Sequence, residues 1–312
     1  MNAQAPVAMR APVTAIAMGH RVRVTTLVVA ISALLLAVVA YGWDYYLLSA
    51  VDRPYSPKHV LLKPSGTIGI RLGILGFLWF VCIFLYPLRK RIKWLAKRGV
   101  SKHWLDVHVV LGLSAPVIIA LHSSFKFQGI AGMAFWTMFA VVVSGVIGRY
   151  VYAQIPRSLN AVEMSMQDAG AVLDELAAQL ASQNLYTQEE LDSVLRLPAK
   201  SEVEQMPLLS ALWWMIRLDL ARPFALARLR RKRLSVAEAA RLAGGLLPSH
   251  HERIERIIRT VRKRASLGKR ALFLQRTQQV FHLWHVVHRP FSYSFVVLAT
   301  IHIVVAMLFG FM

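Results

Sequence analysis

Long apolar runs separated by short polar or basic breaks fill the first half of the chain; a polar, basic stretch follows, and one more apolar run closes it. The runs cover residues 24–48, 67–88, 103–125 and 129–152, and a last one begins near His288 or Pro290. Each approaches or exceeds the ~20 residues a helix needs to cross the bilayer's hydrocarbon. Lipid offers backbone groups no partner, so runs of this kind predict helices. The expected fold is an all-α membrane protein with about five transmembrane helices, four of them forming a bundle, and a helical cytoplasmic insertion. Its expected division is a cytoplasmic N-terminal segment (1–23), transmembrane helices 1–4 (24–152), a basic helical cytoplasmic insertion (153–280) and transmembrane helix 5 (281–312).

Charge sets the expected orientation. Arg10, Arg21 and Arg23 precede the first run, and a block from Arg89 to Arg98 follows the second. Lys and Arg beside spans favour the cytoplasmic side. The N-terminus is therefore expected inside, in the inner (cytoplasmic) membrane. The first run is longer than a signal-peptide core and lacks a clean small-x-small cleavage site, so it reads as a span. Tyr41, Trp43, Tyr45 and Tyr46 then mark the outer interface, before a loop with Pro54, Pro57 and Pro64. In the fourth run, Ser144, Gly145 and Gly148 form a small-residue face suited to close packing against a helix or a macrocycle.

The insertion reads as a series of helices. Residues 164–182 are amphipathic, Thr187 with Glu190 has the form of a capping box, and Ser235 caps a short helix ended by Gly244 and Gly245. Residues 207–223 are apolar but carry Arg217, Asp219 and Arg222, which favours an amphipathic helix at the interface over a span, with Pro223 ending it. A basic helix from about Ser249 leads toward the last run, whose Pro290 suits a helix start.

Composition narrows the function. The chain is 56% hydrophobic with mean hydropathy +0.47 and formal net charge +21. Much of the charge lies beside apolar runs, which points to membrane lipid and away from nucleic acid. Cys82 is the only cysteine, which excludes an intrachain disulfide, a Cys-rich zinc site, a covalent CxxCH haem and an iron–sulfur cluster held by this chain alone. No GxGxxG opening a βαβ unit and no P-loop occurs, so a nicotinamide or flavin domain is not expected. No nucleophile, carboxylate dyad or metal-hydrolase motif stands out.

Histidines carry the chemistry. His108 and His122 lie fourteen residues apart in one apolar run, and His288 and His302 repeat that spacing in the last. Fourteen residues at about 100° each bring a pair onto one helix face, separated by about 21 Å along the axis. The charge-derived topology runs these two spans in the same direction, placing His108 level with His288 and His122 level with His302. The expectation is two bis-histidine haems b, the inner one on His108 and His288 and the outer on His122 and His302. Arg71, inside a span, reads either as a snorkelling arginine or as a partner for a haem propionate. Gly112, one turn after His108, is a candidate for ring approach, although helix packing explains it equally well. Arg149, with Tyr150 and Tyr152, marks either a quinone pocket or an aromatic belt with a headgroup-binding arginine. His103, His282 and His285 read as interfacial or propionate-contacting residues.

The segments HWLDVHVVLGLSAPVIIALH and HLWHVVHRPFSYSFVVLATIH resemble the haem-bearing helices of di-haem membrane cytochromes b, such as the ferric reductase-like transmembrane family and respiratory cytochrome b subunits. The specific part of the resemblance is the histidine spacing, and it covers roughly half the chain. It implies stacked haems b held by the same four histidines, and an electron-transfer subunit of an oxidoreductase complex with no catalytic residues of its own. The expected function is electron transfer across the membrane between a quinone pool or cytoplasmic donor and an outer redox partner, a cytochrome c or an iron–sulfur protein. The alternatives are a ferric or oxygen reductase fed by a separate flavoprotein, and a non-redox membrane anchor. The sequence departs from both families. It contains no FAD and NAD(P)H domain and no span after the second histidine helix, and neither family offers a counterpart to the basic insertion.

Overall fold

The structure, a computed structural model, describes residues 11–155 and 171–310, and every regular element among them is helical. Four long helices come first: α1 (Ala11–Leu47), α2 (Thr67–Arg89), α3 (Ser101–His122) and α4 (Gly129–Tyr152). Then follow α5 (171–181), α6 (Gln188–Leu195), α7 (Lys200–Gln205), α8 (Leu208–Arg231), α9 (Val236–Arg241), α10 (Glu252–Leu272) and α11 (Leu274–Leu308). Helices α1 to α4 and α11 include segments long and apolar enough to cross a membrane, the five spans of a multi-pass membrane protein. The chain divides into two compact units, Met1–Gly145 with His288–Met312, and Val146–Val287.

In the first unit α2 and α3 are the most closely packed pair of helices. Leu72, Ile118 and Leu121 form a buried seam, closed on one side by Leu35, Val38 and Val39 of α1. A second cluster joins Ala115 and Ala120 of α3 to Phe135 and Met138 of α4, with Ile83 and Phe295 against it. Away from these seams Phe77, Leu78, Val81, Val297 and Val304 stay exposed, a surface that suits hydrocarbon.

Polar contacts in this unit run mostly from side chain to backbone. Arg53, 8% exposed, donates to the carbonyls of Leu48, Tyr46 and Ser124. Ser124, at φ 48°, in turn donates to Leu62 O at 2.7 Å, which ties the α1–α2 loop to the turn after α3. Arg89 gathers the carbonyls of Ala96, Arg98 and Gly99, so the basic block folds on itself as well as carrying charge. Tyr45 is buried against His59 and does not join an aromatic belt, whereas Tyr41 and Trp43 remain exposed.

In the second unit local caps and a small apolar core order the helices. Thr187 with Glu190, and Ser235 with Glu238, form the expected capping boxes. Gly244 and Gly245, at φ 68° and 89°, turn the chain after α9 where a β-carbon would be strained. Ile254, Ile258, Val261 and Ala265 line one face of α10, and several of them join Leu180, Leu191, Leu226 and Leu229 in a core. Of the amphipathic segment expected over residues 164–182, residues 164–170 lie outside the described residues, and 171–181 are helical.

Three boundaries differ from the sequence reading. Helix α1 starts well before residue 24; α8 continues through Pro223; and α11 starts at Leu274, with Pro290 inside it. An internal proline removes one helical bond, and packing on either side of it can hold the rest, as Leu226, Ala227 and Leu229 do after Pro223. Helix α8 is not one of the five spans.

Candidate functional site

Proline decides where the first histidine points. Ile83 O would normally accept from the amide of residue 87, but residue 87 is proline and has no N–H. His108 Nδ1 lies 2.9 Å from that carbonyl. In the first turn of α2 another carbonyl meets the second histidine, with His122 Nδ1 2.8 Å from Gly69 O. The ring can reach it because residue 73 is glycine: a β-carbon there would stand 2.7 Å from His122 Cε1. Both acceptors thus belong to α2, and both histidines to α3.

These contacts fix the tautomer. A carbonyl oxygen only accepts, so Nδ1 of His108 and of His122 carries the proton, and Nε2 of each neutral ring holds the lone pair. His288 reaches the same state by another route. Ser144 spends its hydroxyl proton on Val141 O at 2.7 Å and therefore accepts from His288 Nδ1 at 2.8 Å. A β-carbon on Gly145 would sit 3.6 Å from the His288 ring, and one on Gly148 would overlap Trp284. The small face of α4 accordingly packs against side chains of α11. His302 is half-buried on α11.

The other sequence candidates scatter. Arg71 is exposed near the start of α2, and Arg149 is exposed near the end of α4. At Gly112 a β-carbon would meet nothing within 4 Å. Its carbonyl lies four residues before Pro116 and so lacks the usual helical donor. Tyr150 donates to Asp219 at 2.8 Å, and Tyr152 lies against Phe281 with ring centroids 6.0 Å apart. His103 stacks on His20 at 3.5 Å, and His20 pairs with Asp106 at 3.2 Å. His285 bonds the carbonyl one turn back, at Phe281, and His282 lines a shallow groove with Leu208, Gln278 and Leu283.

Sequence reasoning missed three features: the carbonyl acceptors for His108 and His122, Gly73, and the ion-pair cluster of the second unit. Pro87 was a readable signal for the first. For the cluster no local signal exists, because Asp219 and Lys269 are fifty residues apart. There Asp219 bonds Tyr150, Lys269 and, at 3.2 Å, Arg222. Lys269 is almost wholly enclosed, and its burial pulls the ammonium below its usual pKa while Asp219 opposes that shift.

A haem held by two imidazoles needs neutral rings that present Nε2, with Nδ1–H held by an outer acceptor. His108, His122 and His288 have that form, so the donor set fits such a group. Among the described residues no cluster of three or more His, Cys, Asp or Glu could hold a metal ion, and a two-imidazole axial set is not a cluster of that kind. No protein-family model, curated protein or solved structure matches the chain.

Proposed function

We propose that this membrane protein is a di-haem b-type cytochrome, working as an electron conduit within a larger redox complex. The observation that carries the reading is the fixed Nδ1–H tautomer of His108 and His122 on one helix, each anchored to a carbonyl of its neighbour. His108 and His288 would hold one haem, and His122 and His302 the other, the two levels separated by about 21 Å along the helices. A bound haem would supply a one-electron iron couple, which suits electron transfer.

The residues around the pairs have definite tasks. The Ile83 and Gly69 carbonyls and the Ser144 hydroxyl hold the rings in orientation and raise their basicity as ligands. Gly73 leaves room for the His122 ring. The apolar faces of α2, α3, α4 and α11 keep water from the pairs. Electrons would pass between a quinone pool or cytoplasmic donor and an outer partner, with the basic block after α2 on the cytoplasmic side. Tyr150 enters this scheme as a ligand of Asp219, so a quinone site at the end of α4 would rely on Arg149 and Tyr152.

A pyridine haemochrome assay on purified protein tests the reading. Two haems b per chain are expected, falling to about one in His122→Ala and in His302→Ala, with a low-spin spectrum retained. Gly73→Leu should lose the same haem, since its side chain would displace the His122 ring. A colourless wild type would overturn the proposal, and full occupancy in both histidine variants would overturn the ligand assignment.

A further inference from the structure

Helix α8 is apolar on two sides. Ala211, Met215, Leu226 and Leu229 are buried in the second unit. On nearly the opposite side Leu209, Trp213, Leu220 and Phe224 are 80%, 63%, 64% and 65% exposed. At 100° per residue these four fall within an arc of about 60°, one continuous stripe roughly 20 Å long. Arg217, Arg228 and Arg231 are also exposed and lie along its edge. An isolated apolar side chain on a surface needs no explanation, but a stripe of four with a tryptophan does.

We infer that this stripe is a docking face for the headgroup–acyl boundary of an anionic bilayer. Three observations select lipid. The cations beside the stripe complement anionic headgroups. Trp213 has the amphipathic ring that favours that depth. The chain also enters this unit from α4 and leaves through α11, two helices able to cross a membrane, so a bilayer lies within reach of both ends. The contrast with α10 is instructive. That helix exposes Arg253, Arg256, Arg259, Arg262 and Lys263 with no apolar stripe among them, so it can attract a charged surface but has nothing to insert. The docking face is independent of any haem.

The test uses the full chain in a Cys82→Ser background, with either Leu220→Cys or Arg259→Cys carrying a bimane label. Each protein is reconstituted in vesicles containing phosphatidylglycerol, or phosphatidylcholine alone. Nitroxide lipids should quench the label at 220 several-fold more than the label at 259. A water-soluble nickel chelate should show the reverse order. Quenching at 220 should also weaken in phosphatidylcholine alone and at high salt. A label at 220 open to the chelate and unquenched by lipid would overturn the inference. So would a label shielded from both reagents, which would signal a protein contact, and so would quenching indifferent to lipid charge.

Discussion

Ion pairs occur in both units, His20 with Asp106 and Lys58 with Asp44 in the first, but the two lean on different means to satisfy their polar groups. In the first, Arg53, Ser124, His108 and His122 turn inward to backbone carbonyls, and the apolar side chains face out. In the second, carboxylates meet cations: Asp219 with Lys269 and Arg222, Glu255 with Arg230, and Glu190 with Lys232 and Arg233. The difference follows from the solvent. A carbonyl costs nothing extra to bring into hydrocarbon when the helix already buries it, whereas a carboxylate would have to be desolvated with its charge. Where water is near, paired charges are tolerable and help select one arrangement of helices. Helix α8 belongs to both worlds, with ion pairs and a core on one side and a bare apolar stripe on the other.

This contrast can be broken most forcefully at the ion-pair cluster. Asp219→Asn leaves the enclosed Lys269 without its counter-charge and should destabilise the second unit by about 3–5 kcal/mol. Hydrogen exchange on the full-length protein would show it as lost protection in α8 and α10, with the first unit unchanged. Adding Lys269→Met should restore most of the protection; no recovery would mean that the charges are not the issue. The matching experiment in the first unit is Arg53→Met, which strands three carbonyls. A loss of about 3 kcal/mol is expected, read as faster exchange in the turn after α3 and no change in α10.

A smaller effect sharpens the comparison through pH. The Ser235 hydroxyl and backbone amide, with His251, lower the Glu238 carboxyl from 4.5 to about 2. A depressed acid stabilises the fold above its unfolded pKa, and that contribution disappears as pH falls through the folded one. Protection at the start of α9, taken relative to the intrinsic exchange rate at each pH, should therefore fall between about pH 4.5 and 2. Ser235→Ala should raise exchange there at neutral pH, by the equivalent of about 1 kcal/mol, and flatten the pH dependence. An unchanged pH profile in that variant would mean the cap does not hold the carboxylate.

Much of the architecture was legible in the chain. Apolar runs of sufficient length fixed five spans, because in lipid a helix is the only open segment that pairs all of its own backbone. Thr187 with Glu190 and Ser235 with Glu238 were readable as caps, since a cap is a contact over three residues. Helix ends were less legible. Pro223 and Pro290 read as boundaries yet lie inside helices, because a proline removes one bond while the remaining helical bonds and packing keep the rest.

At the candidate site the sequence alone determined the spacing of the four histidines, and hence that each pair shares a helix face, because helical periodicity is local. Only the tertiary structure decided how three of the rings are held. Pro87 frees the Ile83 carbonyl, but that His108 takes it depends on α3 lying along α2 at one register. Likewise Gly73 became a requirement only once His122 was placed against it, and Ser144 an acceptor only once His288 arrived 144 residues later. Contacts between segments far apart in the chain leave no periodic trace in it, so packing settles them.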